Sequence, residues 1–139
     1  MIRYLIDTSA LWRLHREPEA NRAWETAVVS GTVGSCYPQR IEFRRSAKHR
    51  DEFDQMTEMF AGLYPDVPVP KSAPRWVEAT QNRLMSKGSH LAPSPVDLII
   101  AATAAHHGLV VLHDDNDFAA IAGAVNDLDQ RSVYDFPSL

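Results

Sequence analysis

A single cysteine, Cys36, stands in the 139-residue chain, which excludes an internal disulfide framework and any cysteine-based zinc cluster. Its setting in "VGSCY", read as a buried strand, points to inert packing and away from reactivity. Long apolar runs are also missing. None approaches the ~20 residues needed to cross a bilayer. Arg3 and Asp7 interrupt the only apolar stretch near the beginning, so no signal peptide is expected there and a cytoplasmic location is. No Walker-type glycine loop occurs, which argues against a nucleoside triphosphate as ligand. Nor is there an excess of positive charge. The formal net charge of -4 argues, taken alone, against a nucleic-acid partner. What is present is an ordinary globular composition, 45% hydrophobic and 23% charged, at a length that suits one domain over 1–139.

The average charge hides a local reversal. In "RIEFRRSAKHR", Arg40, Arg44, Arg45, Lys48 and Arg50 face Glu42 alone. Either this is a solvated helix face or it is a surface that contacts phosphates, and charge alone does not choose between them.

Strand-like and helix-like segments alternate along the chain. "IRYLI" (2–6) is a short strand ending at Asp7, followed by helical "TSALWRLHR" and a helix from Pro18 ending on Gly31. The β-branched "TVGSCY" (32–37) reads as a second strand, and Pro38 fits the first turn of a helix carrying Glu42 and the arginines. From 51 to 64, Phe53, Met56, Met59, Phe60 and Leu63 recur at helical spacing, as a core stripe or a partner-binding groove. The proline-rich stretch after Tyr64 is a rigid connector with a short central strand, and a helix runs from Pro74 to Lys87. Ser94, Pro95 and Gly108 bound the best-delimited helix. "LVVL" (109–112) is then an interior strand, "NDFAAIA" a helix, and "RSVYDF" (131–136) a last strand. Strands separated by helices predict an α/β fold with a central, mostly parallel sheet covered on its faces by helices.

In such folds ligands bind beyond the carboxyl ends of the strands. Asp7 follows the first strand, and "DDND" follows the "LVVL" strand. Asp97 opens a helix packed on the same sheet, so acids far apart in sequence converge at one edge. Each has a structural explanation as well, since aspartate caps helices and Asp97 stands three residues after Ser94 in a capping-box arrangement. Capping needs one acid per helix, however, and leaves the cluster of Asp114, Asp115 and Asp117 unexplained. Glu42, flanked by Ile41 and Phe43, is a candidate to face the same cleft. Converging carboxylates either hold protons at raised pKa or share a divalent cation. Oxygen ligands without cysteine or paired histidines point to Mg²⁺ or Mn²⁺, the usual apparatus of phosphodiester hydrolysis.

These residues also carry a resemblance. "LIDTSAL", Glu42 in "RIEF", "PVDLIIAATAAHHGLVVLHDDNDFAAIA" and "VYDFP" together resemble the PIN-domain ribonucleases, and more narrowly the VapC-type toxins of toxin–antitoxin pairs. The resemblance spans nearly the whole chain in motif order and spacing. It implies a three-layer α/β/α domain that gathers acids around Mg²⁺ or Mn²⁺ and cleaves RNA. Carried over by position, Asp7, Glu42, Asp97 and Asp115 match the four acids, and Asp117 the acid before phenylalanine. Asp7, Asp97, Asp115 and Asp117 are then the expected metal ligands. Glu42 is a ligand or a base. The basic stretch itself, apart from the resemblance, offers Arg40, Arg44 and Arg45 to steer RNA phosphates. Thr8 matches the first residue of a hydroxyl pair, binding a metal-held water or capping the helix. His113 departs from the family, which often has a small hydroxyl residue there. A homodimer and a small VapB-type antitoxin complete the expectation. Two other readings remain. One is a catalytically silent binding module. The other is a receiver-like phosphoacceptor, which needs paired acids after the first strand and a lysine beyond the last, neither of which is present.

Overall fold

In the computed structural model, which describes residues 1–138, burial alternates between two apolar layers along each central strand. In β1 (Tyr4–Ile6), Tyr4 and Ile6 enter one core and Leu5 the other. In β3 (Val110–His113), Leu112 joins the first and Val111 the second. A sheet buried on both faces follows from this period of two. The first layer is supplied by α1 (Thr8–Arg16), α2 (Pro18–Val29), α3 (Tyr37–Arg44) and α4 (Arg50–Leu63), with Leu11, Trp24, Phe43 and Phe60 inside. The second comes from α5 (Ala73–Ser86), α6 (Pro95–His107) and α7 (Asn116–Ala124), with Leu84, Ile100 and Ile121 inside. The expected three-layer α/β/α architecture is therefore present.

With β2 (Val33–Gly34) and β4 (Asp129–Ser132), the sheet has the order β2-β1-β3-β4, and every pair is parallel. The chain winds outward from β1 to β2 and returns on the other side of β1 to β3. The switch of direction falls between the carboxyl ends of β1 and β3. Clefts for ligands open there.

Three segments differ from the sequence reading. The second strand is two residues long, because Cys36 already occupies the N-cap of α3 and Tyr37 is its first residue. Gly34 is required, since a Cβ there would meet Val67 Cγ2 at 2.7 Å. The proline-rich connector makes only a single bridge, Ser35 to Asp66, because its prolines lack ladder donors. The last strand lies at 129–132 and not at 131–136. Its residues are mostly polar because it is an edge strand held by backbone pairing to β3. Chain reversal at Ser132, which accepts the Tyr134 N–H on its Oγ and the Asp135 N–H on its carbonyl, ends it. Cys36 is buried as expected, and burial pushes its thiol up to about 11. No helix among the described residues is long and apolar enough to cross a membrane.

Candidate functional site

The aspartates stand at the starts of α1, α6 and α7, whereas Glu42 lies in the last turn of α3. Asp7 is the N-cap of α1, where its Oδ2 accepts the Ser9 N–H at 3.1 Å and the Ser9 hydroxyl at 2.6 Å. Asp97 completes a capping box on α6: its backbone N–H donates to Ser94 Oγ and its Oδ2 accepts the Ser94 N–H, both at 3.1 Å. Asp115 is the N-cap of α7, its Oδ1 accepting the Asp117 N–H at 2.9 Å. Capping and clustering are thus not rival explanations. Each helix start fixes one carboxylate oxygen by a backbone N–H.

One oxygen from each of Asp97, Asp115 and Asp117 lies within 4.8 Å of the others. Asp7 stands outside this tight trio but within its field. Burial first of all, and then the charges of Asp97 and Glu42, push the Asp7 carboxyl up to about 7 against the pull of the Ser9 hydrogen bonds. Asp97 is raised as well, by burial and by Asp115 and Glu42, and Asp117 is raised by burial and by Asp115. Asp7, Glu42, Asp97, Asp115 and Asp117 are thus close enough to act on one another by charge.

The site also contains polar atoms without partners. Asp7 Oδ1 and Thr8 Oγ1 are buried and make no hydrogen bond among the described residues. An orphaned carboxylate oxygen in an acid-lined cleft is costly unless a ligand satisfies it. A hard divalent cation suits it, because the donors on hand are carboxylate and hydroxyl oxygens. Thr8 is the first residue of α1, and Asp7, not Thr8, caps that helix.

Other predicted residues fare differently. Asp114 turns away from the trio to an ion pair with Arg13 at 2.7 Å. Arg40 directs its guanidinium to the Ser35 carbonyl and hydroxyl and to Asp66 at 2.8 Å, clamping the connector to β2. Arg44 lies over the Phe53 ring at 5.4 Å, and Arg45 is exposed. Along the methionine stripe, Met56 and Phe60 are core, whereas Phe53 and Leu63 are exposed.

Three residues to which the sequence reading gives no role stand out in the structure. Ser9 is the first, for its hydroxyl donates to Asp7 and accepts the Asp114 N–H at 2.9 Å, linking the ends of β1 and β3. Its place in the hydroxyl pair was the available signal. Gln39, one turn before Glu42 on α3, is fully buried with both carboxamide atoms unpaired among the described residues, and nothing in the sequence marks it. His113, buried at the end of β3, accepts the Asp115 N–H, and its only signal was its departure from the family pattern.

A parallel, helix-covered sheet that collects carboxylates at its switch point defines a class, the α/β domains whose acidic cluster can bind a metal. The family model of the PIN domain matches residues 4–124, and the chain belongs to that family. Ribonuclease VapC6 of Mycobacterium tuberculosis is 51% identical over 113 residues, spanning 81% of this chain and 89% of that protein. Ribonuclease VapC21 of the same organism is 36% identical over 122 residues, 86% of each chain. Among solved structures, DNA-bound VapBC from Salmonella typhimurium matches with a TM-score of 0.76 at 17% identity, covering 96% of this chain and 99% of that one. VapBC-5 from Mycobacterium tuberculosis, of the VapBC family of toxin–antitoxin systems, matches with a TM-score of 0.64 at 23% identity, covering 95% and 99%. At these identities the structures establish a shared fold.

Proposed function

We propose that the chain is a VapC-type toxin: a Mg²⁺- or Mn²⁺-dependent endoribonuclease that hydrolyses RNA phosphodiester bonds and is neutralised by a small VapB-type antitoxin. The observation that carries this reading is the convergence of Asp97, Asp115 and Asp117 within 4.8 Å beside the orphaned Asp7 Oδ1. The ribonuclease relative at 51% identity supports the reaction class.

Asp7, Asp97 and Asp115 are the proposed ligands, and Asp117 joins them directly or through water. When bound, such a cation neutralises the carboxylates, orients the scissile phosphate and stabilises the charge that develops on it. The helix starts of α1, α6 and α7 hold one oxygen of each ligand in place, so little reorganisation remains when RNA arrives. Glu42 is a further ligand or the base that positions the attacking water. Its position suits either role, because it raises both Asp7 and Asp97 by its charge. Thr8 Oγ1 offers a neutral donor or acceptor next to Asp7. RNA phosphates are met by Arg44 and Arg45, with Arg40 contributing field more than contact, because its guanidinium is already bound to Asp66.

The antitoxin has a fitting seat. A groove of about 730 Å³ between α1, α3 and α4 has Trp12, Phe43, Met56 and Met59 on its apolar side and Arg16 and Lys48 as cations. Adaptable methionine and aromatic surface of this kind takes an amphipathic segment. A homodimer belongs to the same reading, and Tyr37 and Ile41, one turn apart on α3, leave an exposed apolar face for it. RNA and antitoxin as partners imply a cytoplasmic place of action.

The test is cleavage of RNA by the purified protein with Mg²⁺ or Mn²⁺, with chelator, and by Asp97→Asn. Cleavage is expected only with metal and wild-type Asp97. Cleavage that survives the chelator or the substitution refutes the mechanism.

A further inference from the structure

We infer that His113 is a positioning residue of this cation site: its imidazole holds the backbone of Asp115 so that the Asp115 carboxylate faces Asp97 and Asp117. The inference rests on the reading of these carboxylates as a cation site.

Asp115 sits between β3 and α7 in extended backbone and belongs to neither element. Its side chain is tied at one end, where Oδ1 caps α7. Its backbone is tied by His113, two residues earlier, whose ring turns back to accept the Asp115 N–H on Nδ1 at 3.0 Å. Without that bond, the peptide preceding Asp115 can rotate and carry the carboxylate with it.

The ring is itself fixed from three sides. Nδ1 accepts, so the proton of the neutral imidazole stands on Nε2, and Nε2 lies 2.6 Å from Gln130 Oε1 on β4. Gln130 is in register with Val111, two residues before His113, so both side chains stand on one face of the sheet. The imidazole also packs on the buried Phe118 ring, centroids 5.3 Å apart. Finally, the His113 carbonyl accepts the Val133 N–H at 2.8 Å, which anchors the strand end to the residue after β4. The result is a chain of contacts from Gln130 through His113 to Asp115. Outer partners of this sort set ligand orientation in metal sites, and their loss typically weakens binding.

Two near-isosteres separate the positioning role from mere filling of space. Asparagine puts its carbonyl oxygen where Nδ1 stands and keeps the bond to the Asp115 N–H. Glutamine reaches the Nε2 position and loses that bond. Mn²⁺ is titrated calorimetrically into wild type, His113→Asn, His113→Gln and Gln130→Ala, and thermal unfolding of each is followed without metal. We expect His113→Asn to bind Mn²⁺ within roughly threefold of wild type and His113→Gln to bind about 10-fold or more weakly. Gln130→Ala, a change at an exposed position, is expected to weaken Mn²⁺ severalfold with the metal-free Tm unchanged. Equal affinities for His113→Asn and His113→Gln overturn the inference, whichever way they move. If either His113 variant fails to fold, Gln130→Ala decides: weakened binding supports the positioning role and wild-type affinity overturns it. Failure of the underlying reading is distinct, because then wild type itself takes up no Mn²⁺, and the inference falls with it.

Discussion

The two sides of the switch point hold their acids in different ways. On the β3 side, Asp115 and Asp117 are half-exposed, and with Asp97 they form a compact trio supported by His113 and two helix caps. On the β1 side, Asp7 is only 3% exposed, and among the described residues its carboxylate takes hydrogen bonds from Ser9 alone and keeps one oxygen without a partner. Asp115 and Asp117 can relieve their repulsion through solvent, whereas Asp97 beside them is buried. Asp7 cannot, and burial pushes its carboxyl up to about 7. The two sides thus differ in how far solvent screens their carboxylates.

The most severe way to break this comparison is to neutralise the trio. Asp115→Asn keeps an N-cap residue, so α7 should still form, while Mn²⁺ affinity measured by calorimetry is expected to fall more than about 100-fold, beyond the usual loss of an outer partner. If affinity survives, the trio is not the ligand set.

A second variant probes the buried side by stability. Across the range from about 4 to about 7 the folded, metal-free chain keeps a proton on Asp7 that the unfolded chain has released. Stability therefore falls as pH rises through that window, and the loss is complete above it. Asp7→Asn removes the penalty. Its metal-free Tm at pH 8 is expected to exceed that of wild type by about 5 °C, a difference that vanishes near pH 4. Saturating Mn²⁺ should raise the Tm of wild type and not of the variant. A wild type whose metal-free stability is flat from pH 4 to 8 contradicts this account of Asp7.

The mildest effect is expected at Asp114, which belongs to the crowded stretch yet pairs with Arg13 on the surface. Asp114→Asn should leave Mn²⁺ affinity unchanged and cost at most about 1 kcal/mol of stability by denaturant titration. A large loss of affinity would return Asp114 to the ligand set.

Much of this was legible along the chain because it depends on local chemistry. Ser94, Pro95 and Gly108 delimit α6 as read, and Gly108 takes the left-handed conformation that ends the helix. Asp7, Asp97 and Asp115 were legible for a related reason: acids at helix starts after strands have few places to point. The last strand begins two residues earlier and ends four residues earlier than its sequence pattern predicts. Edge pairing needs backbone groups and leaves no apolar pattern to read. The basic stretch is continuous in sequence, yet Arg40 is drawn away by Ser35 after β2 and by Asp66 in the connector, partners that only folding brings to it.

The sequence by itself determined the alternation of strands and helices, the caps, and the identity of the acids, because periodicity and capping act over one or two turns. Only the tertiary structure decided how these acids are buried and which of them meet. Burial made Asp7 the strained member, proximity chose Asp117 over Asp114, and the packing of β4 beside β3 gave His113 its partner in Gln130. Those are properties of distances between residues remote in the chain. No local rule contains them.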